Sequence, residues 1–233
     1  QKNREIIKRV KQVYSKISKK LIFSNSIKES ETAKAIENIQ RDLNIGFINE
    51  VYKFCKTLNL DFKEVIRLAN SKWNFMHFNP GLVGGHCLPV DPYYLSYIAK
   101  KKKLNMKILL AGREVNNGMK DFIILEIKNE IKRLNLDYKK DRIIFLGITY
   151  KPNVSDVRNS IALEIFKYFN RINKNVRFYD PIANIYDKKI LKYKLNTFKN
   201  NKKFKTKFVV LVNHNIFKKS FKNLSKNIIN IFA

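Results

Sequence analysis

Apolar side chains recur at helical spacing through roughly the first 135 residues of the chain. The most extended stretch starts at Glu29 and continues for about seven turns. One face of this stretch is apolar and consists of Ala33, Ile36, Leu43, Phe47, Val51 and Phe54. The pattern predicts one long amphipathic helix whose apolar face is broad enough to support a dimer interface.

Shorter apolar patterns flank the long helix. Residues 4–17 have helical spacing, and the following segment 21–26, LIFSNS, has the pattern of a short strand. Asp61 has the character of a helix N-cap, because it directly precedes a new amphipathic run. Further helices are predicted at three places, 61–71, 94–102 and 107–134.

After Asp137 the helical pattern gives way to compact apolar runs rich in β-branched residues. RIIFLGITY is typical of a buried parallel strand, and the run that follows Ser160 predicts a helix. Three later runs also predict strands, NVRFYD, KFVVLVN and IINIFA. The Lys- and Asn-rich segment 186–207 predicts a loop. We therefore expect an α/β chain, with an all-helical central dimerisation domain followed by a Rossmann-like, doubly wound sheet.

The composition excludes several classes of protein. Hydrophobic residues make up 45% of the 233 positions, which is too many for a disordered chain. The formal charge of +29 suggests a nucleic acid or an anionic membrane surface as a partner. However, Lys is spread along the whole chain together with abundant Asn, Ile, Phe and Tyr. We favour compositional drift in A/T-rich coding DNA over nucleic-acid binding, since no nucleic-acid-binding module is recognisable.

The sequence indicates a cytoplasmic protein. Two cysteines form no disulfide framework, no apolar run approaches the roughly 18 residues of a membrane span, and we expect no secretory leader. We therefore expect no membrane association. The chain begins at Gln1 and enters directly into a helical pattern, which suggests that the natural start lies upstream.

The stretch 78–94, FNPGLVGGHCLPVDPYY, collects three of the seven glycines, three of the five prolines and Cys87. Glycines let backbone approach a ligand, and prolines stiffen a loop. A thiol on such a loop, four residues before Asp91, is a candidate covalent nucleophile. The alternative is a structural cysteine in a tight turn. Cys55 lies among apolar helical positions and is expected in the core. We expect no metal site, because the chain has three histidines in unrelated contexts.

Three blocks of the sequence resemble the UDP-glucose/GDP-mannose dehydrogenase family. PGLVGGHCLPVDPYYL, preceded by KWNF, is similar to the family's active-site loop, especially in the branch that acts on UDP-N-acetylhexosamines. ETAKAIENIQRDLNIGFINE resembles the helix that carries the catalytic lysine, and LGITYKPNVSDVRNSIALEI resembles the start of the nucleotide-sugar domain. The resemblance covers nearly the whole chain and weakens after about residue 185.

The resemblance implies a role for each matching residue. Cys87 would capture the C6 aldehyde of the sugar as a thiohemiacetal, from which a thioester forms. Lys34 and Asn38 would stabilise the oxyanion and position water, and Asp91 would assist proton transfer and hydrolysis. The implied substrate-binding residues are Arg41, Phe78, Gly81, Gly84, Tyr150 and Lys151. Among these, Lys151 would meet the UDP pyrophosphate, whereas Arg158 would reach NAD. Each cation is otherwise an ordinary solvated charge in a Lys-rich chain.

The dinucleotide fingerprint that NAD requires in this family, GxGxxG after a first strand, does not occur in the sequence. The resemblance divides the chain into three parts. Residues 1–27 would be the end of the NAD-binding domain, 28–135 the helical central domain, and 136–233 the UDP-binding domain, which we expect to be truncated after its last strand.

Several interpretations remain open from the sequence. The chain could belong to a UDP-N-acetylhexosamine 6-dehydrogenase of surface-polysaccharide synthesis, either as a fragment of a longer polypeptide or completed by a separate N-terminal NAD-binding polypeptide. The substrate could instead be UDP-glucose or UDP-N-acetylmannosamine. A non-catalytic remnant that dimerises or binds UDP-sugar is a further alternative, and a basic nucleic-acid-binding protein is the least favoured one.

Overall fold

A computed structural model describes residues 3–196, 206–217 and 228–232. Along the described ranges of the chain, five helices come first, and the strands of a sheet follow with two further helices between them. The helices are α1 (Arg4–Tyr14), α2 (Ile27–Thr57), α3 (Phe62–Ala69), α4 (Asp91–Lys101), α5 (Lys107–Arg133), α6 (Ile161–Ile172) and α7 (Lys188–Leu191). The strands are β1 (Arg142–Leu146), β2 (Arg177–Tyr179), β3 (Thr206–Val210) and β4 (Ile228–Asn230).

Side-chain caps define where several helices begin. Ser26 and Glu29 form a capping box at the start of α2, in which each side chain bonds the backbone N–H of the other residue. Asp61 accepts a hydrogen bond from the Lys63 N–H and caps α3, as the sequence predicted. Ser160 caps α6 through the Leu163 N–H. These polar residues therefore set the boundaries that the apolar pattern alone leaves uncertain.

The four strands form one parallel sheet with the order β2-β1-β3-β4. Leu146, the last residue of β1, pairs with Tyr179 of β2 on one side and with Val210 of β3 on the other. The chain therefore leaves β1 in one direction to form β2 and returns to the other side to form β3. In open α/β sheets, ligands bind at the carboxyl ends of strands where the order reverses in this way.

One hydrophobic core joins the helical layer to the sheet. Its buried residues include Tyr52 of α2, Ile123 and Ile127 of α5, and Phe145 of β1. The Tyr52 hydroxyl also donates a hydrogen bond to the carbonyl of Ile231, directly after β4. Cys55 is buried, as expected. The sequence therefore predicted an α/β chain with helices followed by a parallel sheet, and the structure confirms that fold class.

The structure corrects three details of the sequence prediction. The segment 21–26 is not a strand, and Ile22 is 82% exposed, because none of the strands in the described ranges pairs with it. Within the predicted loop 186–207, α7 forms behind the N-cap Asp187, whereas residues 197–205 lie outside the described part. α4 begins at Asp91, before the predicted start, because the Asp91 N–H already donates to the Cys87 carbonyl.

The apolar face predicted for the long helix points outward at several positions. Ile36 is 52% exposed, and Phe47 and Phe54 are each 58% exposed. The opposite face of α2 is buried against α5 and is partly polar, with Asn38, Asp42 and Asn49 among its buried residues. Among the described helices, none combines the length and the apolar character that a bilayer crossing requires.

Candidate active site

Cys87 lies at the turn that leads into α4. Its carbonyl oxygen accepts hydrogen bonds from the Val90 N–H at 3.0 Å and the Asp91 N–H at 2.9 Å. This turn places the thiol and the Asp91 carboxylate about one helical turn apart at the N-terminal end of α4. The Cys87 residue is exposed, in contrast to the buried Cys55. An exposed thiol on a fixed turn has the access that a nucleophile needs.

Asn38 connects the long helix to this turn. Its side-chain Nδ2 donates a hydrogen bond of 2.7 Å to Asp91 Oδ2, and Asn38 itself is only 4% exposed. A charge-assisted bond from a buried amide fixes the orientation of the carboxylate. The structure therefore brings together Asn38 and Asp91, two residues that the sequence places 53 positions apart.

Glu37 joins the two cations predicted on the same face of α2. Its Oε2 lies 2.6 Å from Lys34 Nζ, and its Oε1 lies 2.9 Å from Arg41 Nη2. The hydrogen bond and charge of Lys34 hold the pKa of the Glu37 carboxyl below its ordinary value, with a smaller contribution from Arg41. Sequence reasoning missed Glu37, although its spacing of three and four residues from its partners is a usable signal.

The glycine-rich loop is attached to α2 by a buried amide. Asn49 Nδ2 donates to the Gly81 carbonyl at 3.0 Å, and Asn49 Oδ1 accepts from the Gly81 N–H at 2.9 Å. Asn49 Nδ2 also lies 2.8 Å from Asn116 Oδ1 of α5. This two-sided bond fixes the backbone of the loop without a side chain at Gly81. Sequence reasoning missed Asn49, because its partners lie 32 and 67 residues away.

The same loop packs closely against the segment that follows β1. A Cβ atom at Gly84 would overlap the Asn159 carbonyl oxygen, and one at Gly85 would lie 2.9 Å from the Tyr150 ring. Gly85 has a φ of +89°, which side chains rarely tolerate. Asn159 Nδ2 donates to the Gly85 carbonyl at 3.0 Å. The glycines therefore permit the loop 78–90, which we call the cysteine loop, to contact residues 136–232, the sheet-bearing half, directly.

Arg158 is engaged with a neighbouring carboxylate. Its Nη2 lies 2.8 Å from Asp156 Oδ2, and its side chain remains 70% exposed. The hydrogen bonds from Arg158 hold the pKa of Asp156 well below its ordinary value. His86 Nε2 also lies 3.4 Å from Asp156 Oδ2, so this carboxylate links the residue before Cys87 to the predicted cofactor residue.

A cleft of about 480 Å³ opens where these elements meet. It is lined by most of the predicted site residues, namely Lys34, Asn38, Arg41, Gly81, Gly84, Cys87, Tyr150 and Lys151. Asp91 adjoins it through its bond to Asn38. Phe78 and Arg158 do not line the cleft. Lys151 Nζ lies 5.5 Å from the centre of the Tyr150 ring, so the cation stays near the surface of the aromatic side chain.

The cleft combines groups suited to acyl chemistry on an anionic ligand. Three cations, Lys34, Arg41 and Lys151, face one space with a thiol. Cations of this kind bind phosphate oxygens and stabilise a developing oxyanion. The adjoining amide and carboxylate, Asn38 and Asp91, suit the orientation of water and the transfer of a proton.

The described residues do not fit the phosphates of NAD in the way a dinucleotide fold does. The connection from β1 to α6 contains Gly147 as its one glycine, and Ser160 already occupies the N-cap of α6. The Ser160 hydroxyl additionally donates to the Ile148 carbonyl at 2.7 Å. This helix N-terminus therefore lacks the glycine-lined approach that a pyrophosphate needs.

Comparison with known proteins identifies both halves of the chain. The central-domain model of the UDP-glucose/GDP-mannose dehydrogenase family matches residues 28–118, and the model of its UDP binding domain matches 144–231. The UDP-N-acetyl-D-glucosamine 6-dehydrogenase of Pseudomonas aeruginosa is 40% identical over 158 residues, which cover 68% of this chain and 37% of the relative. The enzyme of the same name from Salmonella typhi is 38% identical, covering 76% of this chain and 42% of the relative.

A solved structure shows the same arrangement. The UDP-D-ManNAc dehydrogenase from Pyrococcus horikoshii superposes with a TM-score of 0.76 at 27% identity, covering 97% of this chain and 52% of that chain. The chain thus spans about two fifths of the length of the two curated relatives and about half of this solved structure.

Proposed function

Because the chain belongs to the UDP-glucose/GDP-mannose dehydrogenase family, we propose that its cleft is the substrate side of a nucleotide-sugar 6-dehydrogenase. The proposed reaction is the two-step oxidation of the C6 hydroxyl of a UDP-N-acetylhexosamine to the uronate, for surface-polysaccharide synthesis. We favour UDP-N-acetylglucosamine as the substrate, for which the two curated relatives are named, with UDP-N-acetylmannosamine, for which the solved structure is named, and UDP-glucose as the alternatives. The observation that carries the proposal is the convergence of Cys87, Asn38 and Lys151 on one cleft.

Cys87 supplies the covalent step. Its Sγ adds to the C6 carbonyl carbon of the sugar aldehyde, and the carbonyl oxygen takes up a proton, which gives a thiohemiacetal. Lys34 and Asn38 line the same cleft and stabilise the negative charge that develops on this oxygen. The chemistry requires a reduced thiol, so we place the reaction in the cytoplasm. Finding Cys87 in a disulfide in the cellular protein would contradict this placement.

Asp91 and Asn38 act together when the sugar is released. The Asn38 amide holds Asp91 Oδ2 at 2.7 Å, so the orientation of the carboxylate is fixed relative to a residue that lines the same cleft as Cys87. Asp91 accepts the proton of the water that attacks the thioester carbonyl, and the thiolate leaves. The products are the free carboxylate of the uronate and the regenerated Cys87.

NAD would accept the two hydrides of the overall oxidation. The described residues do not provide a dinucleotide turn, so we propose that NAD is bound by polypeptide outside these 233 residues, with Arg158 reaching it from this chain. The Asp156 carboxylate holds the Arg158 guanidinium at 2.8 Å and would orient it. We therefore expect this chain alone to bind a UDP-sugar without oxidising it. NADH formation by the purified chain with UDP-N-acetylglucosamine would contradict it.

Protection of Cys87 from alkylation tests the nucleotide-sugar site. Iodoacetamide should label Cys87, which is exposed, and leave Cys55, which is buried, as an internal control. UDP-N-acetylglucosamine should slow the labelling of Cys87 in a concentration-dependent manner, because the ligand fills the cleft that the thiol lines. Mass spectrometry of the labelled peptides measures both cysteines in one sample.

Two lysine variants make this measurement specific. Lys151→Ala should raise the half-protecting concentration about tenfold, since a charge-assisted bond to phosphate is lost. Lys139→Ala removes an equal charge from the turn between α5 and β1, away from the cleft, and should leave the concentration unchanged. Equal behaviour of the two variants would show that Lys151 does not contact the nucleotide.

We further propose that the outward face of α2 forms a homodimer interface. Ile36, Phe47 and Phe54 are each more than half exposed along this helix, and such a row of large apolar side chains is costly to leave in water. Phe47→Glu should therefore shift the chain from dimer to monomer in sedimentation-velocity experiments. Tyr186→Glu, at a position 84% exposed in the sheet-bearing half, serves as the control. A wild-type chain that sediments as a monomer at high concentration would exclude this interface.

A further inference from the structure

A buried polar cluster lies directly behind the loop that carries Lys151. It consists of Thr149, Asp180 and His214, each 0% exposed, and of the backbone N–H of Asn153. These residues do not line the cleft, and the proposed chemistry does not use them. They follow β1, β2 and β3, so the cluster sits at the carboxyl edge of the sheet, where the strand order reverses.

The hydrogen bonds of His214 define its tautomer. Nδ1 accepts from the Asn153 N–H at 2.9 Å, so this nitrogen carries no proton. Nε2 lies 3.2 Å from Asp180 Oδ2 and 3.3 Å from Thr149 Oγ1. Since Asp180 is an acceptor, Nε2 carries the proton and donates it. Asp180 thereby fixes the imidazole in the form whose Nδ1 is free to accept.

Asp180 is itself held by backbone donors. The Ile148 N–H donates to Oδ2 at 2.8 Å, and the N–H groups of Ile182 and Ala183 donate to Oδ1 at 3.0 and 2.9 Å. Burial alone would raise the pKa of Asp180, but the bonds from His214 and Ile148 lower it below its ordinary value. The carboxylate is thus a fixed anion, and His214 transmits its position to the loop.

The cluster fixes the loop on both sides of Lys151. The Thr149 hydroxyl donates to the Lys151 carbonyl at 3.0 Å. Asn153 has a φ of +61°, a strained value for a side-chain-bearing residue, and its Oδ1 accepts from the Asn215 N–H at 2.9 Å. The His214 bond to the Asn153 N–H is therefore one of the contacts that stabilise an otherwise unfavourable turn.

We propose that His214 is a positioning residue for nucleotide binding, acting through the acceptor Nδ1. By holding the Asn153 N–H, it fixes the turn that directs Lys151 toward the UDP pyrophosphate. This role rests on the proposed function, because it assumes that Lys151 contacts the nucleotide. The part that concerns the loop itself is independent of any ligand.

Two substitutions separate the two nitrogens of the imidazole. In His214→Asn the side-chain oxygen lies near the former Nδ1 and accepts from the Asn153 N–H, whereas in His214→Gln the amide reaches only the former Nε2 position. His214→Asn should keep the UDP affinity within about twofold of wild type, and His214→Gln should weaken it about tenfold, as expected for the loss of one hydrogen bond that orders a binding loop. Isothermal titration calorimetry of the full 233-residue chain with UDP measures both.

A double-variant cycle distinguishes positioning from general destabilisation. If His214 acts through Lys151, His214→Gln should cost no further affinity in a chain that already carries Lys151→Ala. A general loss of structure would instead weaken UDP binding by the same factor in both backgrounds. Additive losses would therefore overturn the proposal, as would equal UDP affinities of the Asn and Gln variants.

Hydrogen exchange tests the loop without a ligand. The Asn153 amide should exchange faster in His214→Gln than in wild type or His214→Asn, and Ile143→Val, a mild core change within β1, controls for overall stability. If His214→Gln does not fold, comparison of His214→Asn with wild type still tests the Nδ1 contact, and Thr149→Val tests the separate contact of the cluster with the Lys151 carbonyl. If the wild-type chain does not bind UDP but the three chains show this exchange pattern, the proposed function is overturned and the loop assignment is supported. Unchanged exchange at Asn153 would overturn the loop assignment itself.

Discussion

Replacing Gly84 with alanine should weaken UDP-sugar binding about tenfold. The added Cβ would overlap the Asn159 carbonyl oxygen and lie 3.2 Å from Tyr150 Cβ, and neither neighbour is the free end of a flexible chain. The cysteine loop must then move away from the segment that carries Tyr150 and Lys151, which opens the cleft. Overpacking of this kind costs about 1–3 kcal/mol, and about 1.4 kcal/mol within that range corresponds to a tenfold change in affinity. The half-protecting concentration in the Cys87 alkylation assay measures the effect.

Gly118→Ala is the matched control for this substitution. A Cβ at Gly118, within α5, would meet only Lys53 Nζ, at 3.5 Å, and alanine favours a helix. Gly81→Ala, in the cysteine loop itself, should lose less than Gly84→Ala, because no atom lies within 4 Å of its Cβ position. A Gly84→Ala chain with wild-type affinity and melting temperature would show that the loop and the sheet-bearing half do not pack as described.

Replacing Arg113 with methionine should destabilise the chain by about 3–5 kcal/mol, because it leaves a buried carboxylate without its cation. The Arg113 guanidinium forms an ion pair with Asp42 between α5 and α2, and both side chains are at most 2% exposed. Asn116 Nδ2 also donates to Asp42 Oδ1 at 2.8 Å. Urea unfolding followed by circular dichroism measures the loss. Arg113→Met/Asp42→Asn, which removes both charges, should recover much of it.

The loss should depend on pH in a defined direction. Burial raises the pKa of Asp42 from 3.8 to about 6, although Arg113 and Asn116 oppose the increase. The folded chain therefore binds this proton more tightly than the unfolded chain, and the stability that Asp42 contributes is complete below pH 4 and falls as the pH rises through about 6. Without Arg113 the pKa rises further. The difference in unfolding free energy between wild type and Arg113→Met should thus be larger at pH 8 than at pH 5, and a difference independent of pH would contradict this assignment.

Local sequence patterns predicted most of the fold, because helix caps and apolar periodicity depend on residues that are close together in the chain. The N-caps Asp61 and Ser160, and the apolar run that became β1, depend on neighbours close in the chain. The strand predicted at 21–26 is wrong because strand formation depends on a partner that is distant in the chain. A strand needs a partner for its backbone groups, and no pattern within LIFSNS reports whether a partner exists.

The site residues were predicted from the family resemblance, whereas the groups that hold them were not. Asn49 holds Gly81 and Asp180 holds Ile148, each from 32 positions away, and His214 contacts Asn153 and Thr149 from 61 and 65 positions away. A buried polar residue is recognisable only once its partner is known, and on helical spacing Asn49 looks like an ordinary surface amide. For the same reason, the apolar pattern of α2 identified the face that points outward. The buried face of this helix is partly polar and was not recognised from the sequence.

The core shared by the helices and the sheet limits how the cleft can open. Tyr52, Ile123 and Ile127 pack in the same cluster as Phe145, and the Tyr52 hydroxyl donates a hydrogen bond to the Ile231 carbonyl, directly after β4. A hinge between the two halves would have to expose this apolar surface to water, so large rotations of one half against the other are disfavoured. We therefore expect the cleft to keep a nearly constant width, so that discrimination among the proposed sugar ligands would depend on the side chains that line it rather than on closure of the two halves.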